Sequence, residues 1–125
     1  MIIGLGIDII EISRIEAAIE RNGVRFVNRV FTSNEQAYCE ARNPSAVHYA
    51  GRFAAKEAAF KALGTGWAGN IRWTDVEVEA AQSGPPRLKL SGAALERFNA
   101  LGALSAHISI SHSREYATAV AVFER

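Results

Sequence analysis

The chain has 125 residues, 49% of them hydrophobic and 22% charged, with a formal net charge of +1. That length and balance predict a single soluble domain over 1–125 with a real core, and they exclude a disordered chain. Near-neutral charge gives no global pull toward nucleic acid and no apolar run reaches membrane-spanning length, so neither is an expected partner. The single cysteine, Cys39, excludes an internal disulfide framework and points to a reducing compartment. Met1-Ile2-Ile3-Gly4 lacks the basic lead and apolar region of a secretory signal, so the expected location is cytoplasmic.

Residues 2–12 are rich in β-branched side chains and read as a strand. Alternation puts Ile3, Leu5, Ile7 and Ile9 on one face and Gly4, Gly6 and Asp8 on the other. Two glycines ahead of a carboxylate leave room for close approach by a ligand or another backbone. The bland alternative is a packed sheet face with Asp8 turned to water near the strand end.

Ser13-Arg14-Ile15-Glu16 has the spacing of a capping box and opens a short helix that ends at Asn22-Gly23. Arg14 and Arg21 share a face of it, and Arg25 and Arg29 follow, with Phe26 and Val27 between them. A basic face beside an exposed aromatic suits an acidic partner. Scattered arginines are more often a solvated face, and Glu16 and Glu20 partly neutralise this one. Thr32-Ser33-Asn34-Glu35 repeats the capping-box spacing and starts a helix through about Arg42, which assigns Glu35 to capping before catalysis.

Asn43-Pro44 breaks the chain, and the element that dominates the sequence follows: a helix from near Ser45 to Gly64. At about 100° per residue, Phe53, Phe60 and Gly64 form one stripe with Glu57 in its middle. Ala54, Ala55, Ala58, Ala59 and Ala62 form a second apolar face, and Arg52, Lys56 and Leu63 fill the remaining sector. A helix apolar on nearly every side is a buried one. Glu57 is then an anomaly, because a carboxylate among phenylalanines needs a cation. Lys61, at i+4, is one candidate, and the pair could also be an ordinary helix pair worth a few tenths of a kcal/mol. Gly64-Thr65-Gly66 and the loop through Asn70 offer backbone N–H groups to a phosphate, a weak signal after a helix C-terminus.

Trp73 to Glu79 alternates, with Val76 and Val78 on one side and Asp75, Glu77 and Glu79 on the other. Ser83-Gly84-Pro85-Pro86 signals a turn and Arg87 to Leu90 alternates again, which makes a hairpin. Ser91 caps a short helix to Leu101-Gly102. A last hairpin pairs His107–Ser113 with Tyr116–Glu124, and the more apolar second strand reads as interior. His107 shares a face with Ser109 and Ser111, polar enough to line a ligand site, whereas His112 lies near the turn, where water is the default. Neither has zinc-type spacing with Cys39. The fold expected is α+β: a three-to-five-stranded, mainly antiparallel sheet packed on the central buried helix.

Gly6-Ile7-Asp8-Ile9 with Arg14-Ile15, then Arg52-Phe53-Ala54-Ala55-Lys56-Glu57-Ala58 with Lys61-Ala62 and Gly64-Thr65-Gly66, resembles the short, bacterial branch of the 4′-phosphopantetheinyl transferases, the holo-acyl-carrier-protein synthases. The resemblance covers essentially the whole chain, including the Gly84-Pro85-Pro86-Arg87 turn and the Ile108–His112 strand. It implies transfer of the phosphopantetheine arm of coenzyme A to a serine of acyl carrier protein, with release of 3′,5′-ADP. Asp8 and Glu57 would then hold Mg²⁺ (or Mn²⁺), a hard cation suited to carboxylate oxygens. Lys61 would reach the same phosphates, and either Glu57 or a metal-bound water would serve as base. Arg52, Lys56, His107, Gly64, Thr65 and Gly66 become candidates for the nucleotide and its phosphates, with a simply solvated side chain the alternative for Lys56. Arg14, Arg21, Arg25 and Phe26 become the dock for the carrier. Short members of the family resemble homotrimers with sites between subunits. The competing reading is a non-catalytic module that binds a nucleotide or an acidic partner.

Overall fold

The computed structural model describes residues 1–64 and 70–125. In chain order the elements are β1 (Ile2–Glu11), α1 (Ile12–Asn22), α2 (Val24–Val30), α3 (Ser33–Glu40), α4 (Ser45–Leu63), β2 (Val76–Glu79), β3 (Arg87–Leu90), α5 (Gly92–Ala100), β4 (Ser105–His112) and β5 (Tyr116–Glu124). The class is α+β, and both sheets are antiparallel: a three-stranded one in the order β1-β5-β4, and the β2-β3 hairpin.

The large sheet has two different faces. Its register aligns Gly6, Ala121 and Ile108 across the three strands, and likewise Asp8, Ala119 and Ile110. These rows face α4, whose Ala54, Ala55, Ala58 and Ala59 are fully buried in the main core with Phe60, Leu63 and Phe123. Alanine on the helix and glycine on the strand let the two backbones close together. A Cβ on Gly4 would lie 2.5 Å from the Ala62 carbonyl oxygen, and one on Gly6 would collide with the carbonyl of Ala58. The space predicted over the glycines is filled by a helix backbone. The opposite face carries rows such as Leu5, Val122 and His107, and it is open: Leu5, Ile7 and Ile9 are each about two-thirds exposed.

Several local expectations change. The helix expected at Ser13 begins at Ile12, and its N-cap, Glu11, makes no side-chain cap bond, so Ser13-Arg14-Ile15-Glu16 is not a working capping box. Residues 24–30, to which the sequence reading assigns no element, form α2. The first residues of the stretch expected as strand, Trp73–Asp75, form a 3-10 turn. Its Trp73 ring stacks on Phe53 at 5.1 Å and meets Phe60 edge-on at 5.4 Å. Ser91 stands at the N-cap of α5 without a side-chain cap bond.

The Thr32–Glu35 capping box is present in both directions. Glu35 does more than cap. Its Oε1 also accepts from Lys56 Nζ at 2.7 Å, and its Oε2 from the Val78 backbone N–H at 2.8 Å. Lys56, a candidate phosphate contact or else a solvated cation by sequence, is completely buried and paired with Glu35 instead. One carboxylate therefore ties α3, α4 and β2 together, its charge met by a cation and two backbone donors. Cys39 is buried in a second core with Tyr49 and Phe31, where burial pushes its thiol up to about 12 and leaves it unreactive.

Candidate active site

The backbone approach at Gly4 and Gly6 decides what lies beside Asp8. With α4 pressed on β1, the side chain of Lys61 crosses to the strand. Its ammonium donates to Asp8 Oδ1 at 3.2 Å and to the Ile7 carbonyl at 2.8 Å. Asp8 is largely covered, whereas Lys61 stays half exposed. The partner given for Lys61 is thus Asp8, far away in sequence, rather than only its helix neighbour Glu57.

Glu57 is partly buried on the same side of α4. Burial first, then the Asp8 carboxylate, raises its pKa above the ordinary value, and Lys61 partly offsets this. Asp8, Glu57 and Lys61 therefore form one electrostatic unit built from a strand and a helix 49 positions apart in sequence. Two mutually repelling hard-oxygen donors, one of them costly to ionise, fit a divalent cation. Among the described residues, no group of three or more His, Cys, Asp or Glu is placed to hold a metal. The donor set therefore suits an ion that keeps water and substrate oxygens in its shell, as Mg²⁺ does, and not one needing a full protein cage.

Arg52 lies elsewhere. It is buried and lines a cavity of about 510 Å³ with Tyr38, Arg42, His48, Ile110 and His112. Its guanidinium carbon stands 3.6 Å from the centre of the Tyr38 ring, and its Nε is buried without a hydrogen-bond partner among the described residues. Ile110 and His112 belong to β4, so this cavity sits at one edge of the large sheet, while Asp8 sits on β1 at the other. Tyr38, Arg42 and His48 escaped the sequence reading; His112, expected in water near the turn, is exposed and also lines this cavity. The available signal was His48 one turn before Arg52 on the same helix face.

His107 stands on the open face of the sheet, in the Leu5–Val122 row, with its Nε2 2.7 Å from Glu124 Oε1. Within one chain it is on the opposite side of the sheet from Asp8. Gly64 closes α4 in the left-handed conformation at φ 76°, as its place after the last apolar turn predicts. Arg97, from α5, donates to the Leu63 carbonyl at 3.0 Å there. Thr65 and Gly66 lie outside the described residues.

Arg14, Arg21 and Arg25 are exposed. Phe26, expected to be exposed, is half-buried instead, edge-on to Phe31 at 6.2 Å, and with Asn22, Arg25 and Arg29 it lines a shallow hollow of about 240 Å³.

Comparison with known proteins gives this arrangement a family. Residues 4–121 match the model of the 4′-phosphopantetheinyl transferase superfamily. The chain is 52% identical to the holo-[acyl-carrier-protein] synthase of Protochlamydia amoebophila over 123 residues, which is 98% of both chains. It is 47% identical to the enzyme of that name from Maridesulfovibrio salexigens over 125 residues, the whole of both. Among solved structures, it is similar to the synthase of Neisseria meningitidis (TM-score 0.89, 30% identity, 100% of both chains covered). It is also similar to the Helicobacter pylori synthase in complex with coenzyme A (TM-score 0.84, 32% identity, 96% of this chain and 99% of that one). Full-length likeness of this kind settles the lineage: the chain belongs to the 4′-phosphopantetheinyl transferase superfamily and, within it, to the holo-[acyl-carrier-protein] synthases.

Proposed function

We propose that this chain transfers the 4′-phosphopantetheine arm of coenzyme A to a serine hydroxyl of an acyl carrier protein, releasing 3′,5′-ADP, in a Mg²⁺-dependent reaction of lipid synthesis in the cytoplasm. The observation that carries this reading is the coupled trio Asp8, Glu57 and Lys61. A non-catalytic binding module has no use for two carboxylates held so that one resists ionisation, because that arrangement costs stability until a cation relieves it.

Asp8 and Glu57 are the residues that would hold Mg²⁺, and the bound ion would neutralise the diphosphate of coenzyme A and the charge that develops on departure. The protein's own groups do the rest. Lys61, already aimed at Asp8 and half in solvent, stabilises the negative charge gathering on the leaving 3′,5′-ADP. Glu57, on the side of α4 that faces Asp8, accepts the serine proton as the new P–O bond forms and the P–O bond to the departing 3′,5′-ADP breaks. The cavity around Arg52 holds the nucleotide end of the coenzyme through its phosphates. Gly64, Thr65 and Gly66 remain proposed phosphate contacts, and Arg14, Arg21, Arg25 and Phe26 the proposed dock for the acidic carrier.

Assembly enters the same reading. The carboxylates sit at the β1 edge and the Arg52 cavity at the β4 edge, so one chain holds the two halves of the site apart. A head-to-tail ring brings the β4 edge of one copy toward the β1 edge of the next. It also buries the open face of Leu5, Ile7 and Ile9 and delivers His107 to a neighbour's site. A homotrimer with sites between subunits accounts for both observations.

The test is to mix the protein with apo carrier protein and coenzyme A, with and without Mg²⁺, and weigh the carrier. A mass gain of one phosphopantetheine that needs the metal supports the reading. An unchanged carrier mass in both samples overturns it.

A further inference from the structure

The Arg52 cavity carries more than a fixed positive charge. A single aromatic ring organises it: Tyr38 has the guanidinium carbon of Arg42 3.5 Å from its centre and that of Arg52 at 3.6 Å. Arg42 is further pinned by its Nη1, which donates to the Tyr38 carbonyl at 2.8 Å. His48 stands edge-on to the Tyr38 ring at 5.9 Å and to the His112 ring at 6.4 Å. No aspartate or glutamate lines the cavity among the described residues. With the Arg52 Nε buried and without an acceptor among the described residues, the geometry suits an anion whose oxygens could accept from it.

We propose that this cavity takes up one proton on His48 with each phosphate-bearing anion it binds, so that Tyr38, Arg42 and His48 together select the phosphate end of the nucleotide. The inference rests on the coenzyme reading above. Among the described residues, the groups that bear on the charge of His48 are Arg42 beside the ring of Tyr38, Arg52 on its own helix and His112 on β4, while the 80–86 segment lines the cavity with the neutral amide of Gln82 and no charge. Burial first, then Arg52, Arg42 and His112, keep the free imidazole below its ordinary value of 6.5, hence neutral near pH 7. A bound phosphate reverses the sign of that field. It favours the imidazolium, which draws its proton from water and gains a second N–H donor for the phosphate oxygens.

The experiment is calorimetric titration with 3′,5′-ADP between about pH 6 and 8.5. Wild-type affinity should weaken as pH rises through the neutral range, by at most about tenfold per pH unit for a single linked proton. His48→Gln should lose that dependence, leave only the ligand's own titration, and converge with wild type at high pH. Adenosine, which has no phosphate, should show no slope. Parallel pH profiles for wild type and His48→Gln overturn the inference while leaving the coenzyme reading intact; absence of any 3′,5′-ADP binding overturns both. Should His48→Gln fail to fold, wild type decides: the heat of 3′,5′-ADP binding near neutral pH, measured in two buffers of different ionisation heat, should show net proton uptake. No net uptake overturns the proposal.

Discussion

The carbonyl oxygen of Ala58 occupies the space that a side chain on Gly6 would need. This one relationship sets the distance between α4 and β1, and through it the reach of Lys61 to Asp8. Gly6→Ala forces helix and strand apart in a packed core, where overpacking costs about 1–3 kcal/mol and often more at a backbone contact. Urea unfolding should show that loss, with a drop of several degrees in Tm for a domain of this size. Transfer activity should fall as well, because the carboxylates separate when the backbones do.

Lys56 and Glu35 predict a different kind of loss. Both side chains are shut off from solvent, and the pair closes at 2.7 Å. Lys56→Met leaves a buried carboxylate with backbone donors but no cation, a change that costs about 3–5 kcal/mol. Chemical denaturation should register it, and restoring a cation with Lys56→Arg should recover less than half, since the guanidinium has no room in a fully packed site. A loss below about 1 kcal/mol would mean that the Thr32 and Val78 N–H groups alone satisfy Glu35.

Glu57 is expected to trade stability for activity. Its folded pKa is raised above the ordinary 4.5, so the folded state binds more protons than the unfolded state at pH values above 4.5. Stability therefore declines as pH rises from 4.5 through the folded value, and it is restored on acidification. Glu57→Gln should be more stable than wild type near pH 7, by less than about 1 kcal/mol after solvent screening. That advantage should vanish below about pH 4.5, where wild type is protonated too. The same variant should lose transfer activity by about a hundredfold or more. Thermal melts across pH, beside carrier mass measurements, check both halves.

Mg²⁺ should raise the Tm of wild type in proportion to the logarithm of its concentration above the dissociation constant. Asp8→Ala should abolish that response and nearly all activity, and should also free the Lys61 ammonium from its 3.2 Å contact. Retained Mg²⁺ stabilisation in Asp8→Ala would place the ion elsewhere.

Leu5, Ile7 and Ile9 make the assembly testable. Ile7→Glu puts a charge in the middle of the open sheet face, where its cross-strand neighbours are Val120 and Ser109. In a lone subunit such a change on an exposed strand costs little. In a ring it buries an unpaired charge, so light scattering should report monomers and activity should fall with the trimer. An unchanged mass in solution would remove the need for a second copy.

Much of this was legible in the residues themselves. Gly64 after an alanine-rich run marks the end of α4, and the last hairpin's alternation puts His107, Ser109 and Ser111 on one polar face, where all three are exposed. Glu57 stood out because a carboxylate among phenylalanines conflicts with its surroundings. Other features misled for a physical reason. Ser13-Arg14-Ile15-Glu16 has the letters of a capping box, but the strand runs on to Glu11, and the chain turns into α1 before Ser13 can act as a cap. Lys56 looked solvated because its partner comes from another helix, and a wheel drawn on one helix cannot show a partner on a second.

Local order was written in the sequence: the helices, the hairpins, the glycines that permit contact and the acidic and basic side chains that carry the chemistry. Such features depend on neighbours along the chain, where backbone geometry and periodicity act directly. Only the tertiary structure decided who meets whom. Lys61 bonds to Asp8, Lys56 to Glu35, and Arg52 of α4 stacks on the Tyr38 ring of α3. These pairings span long loops of sequence, and close packing of α4 against the sheet, not any local preference, brings them within reach.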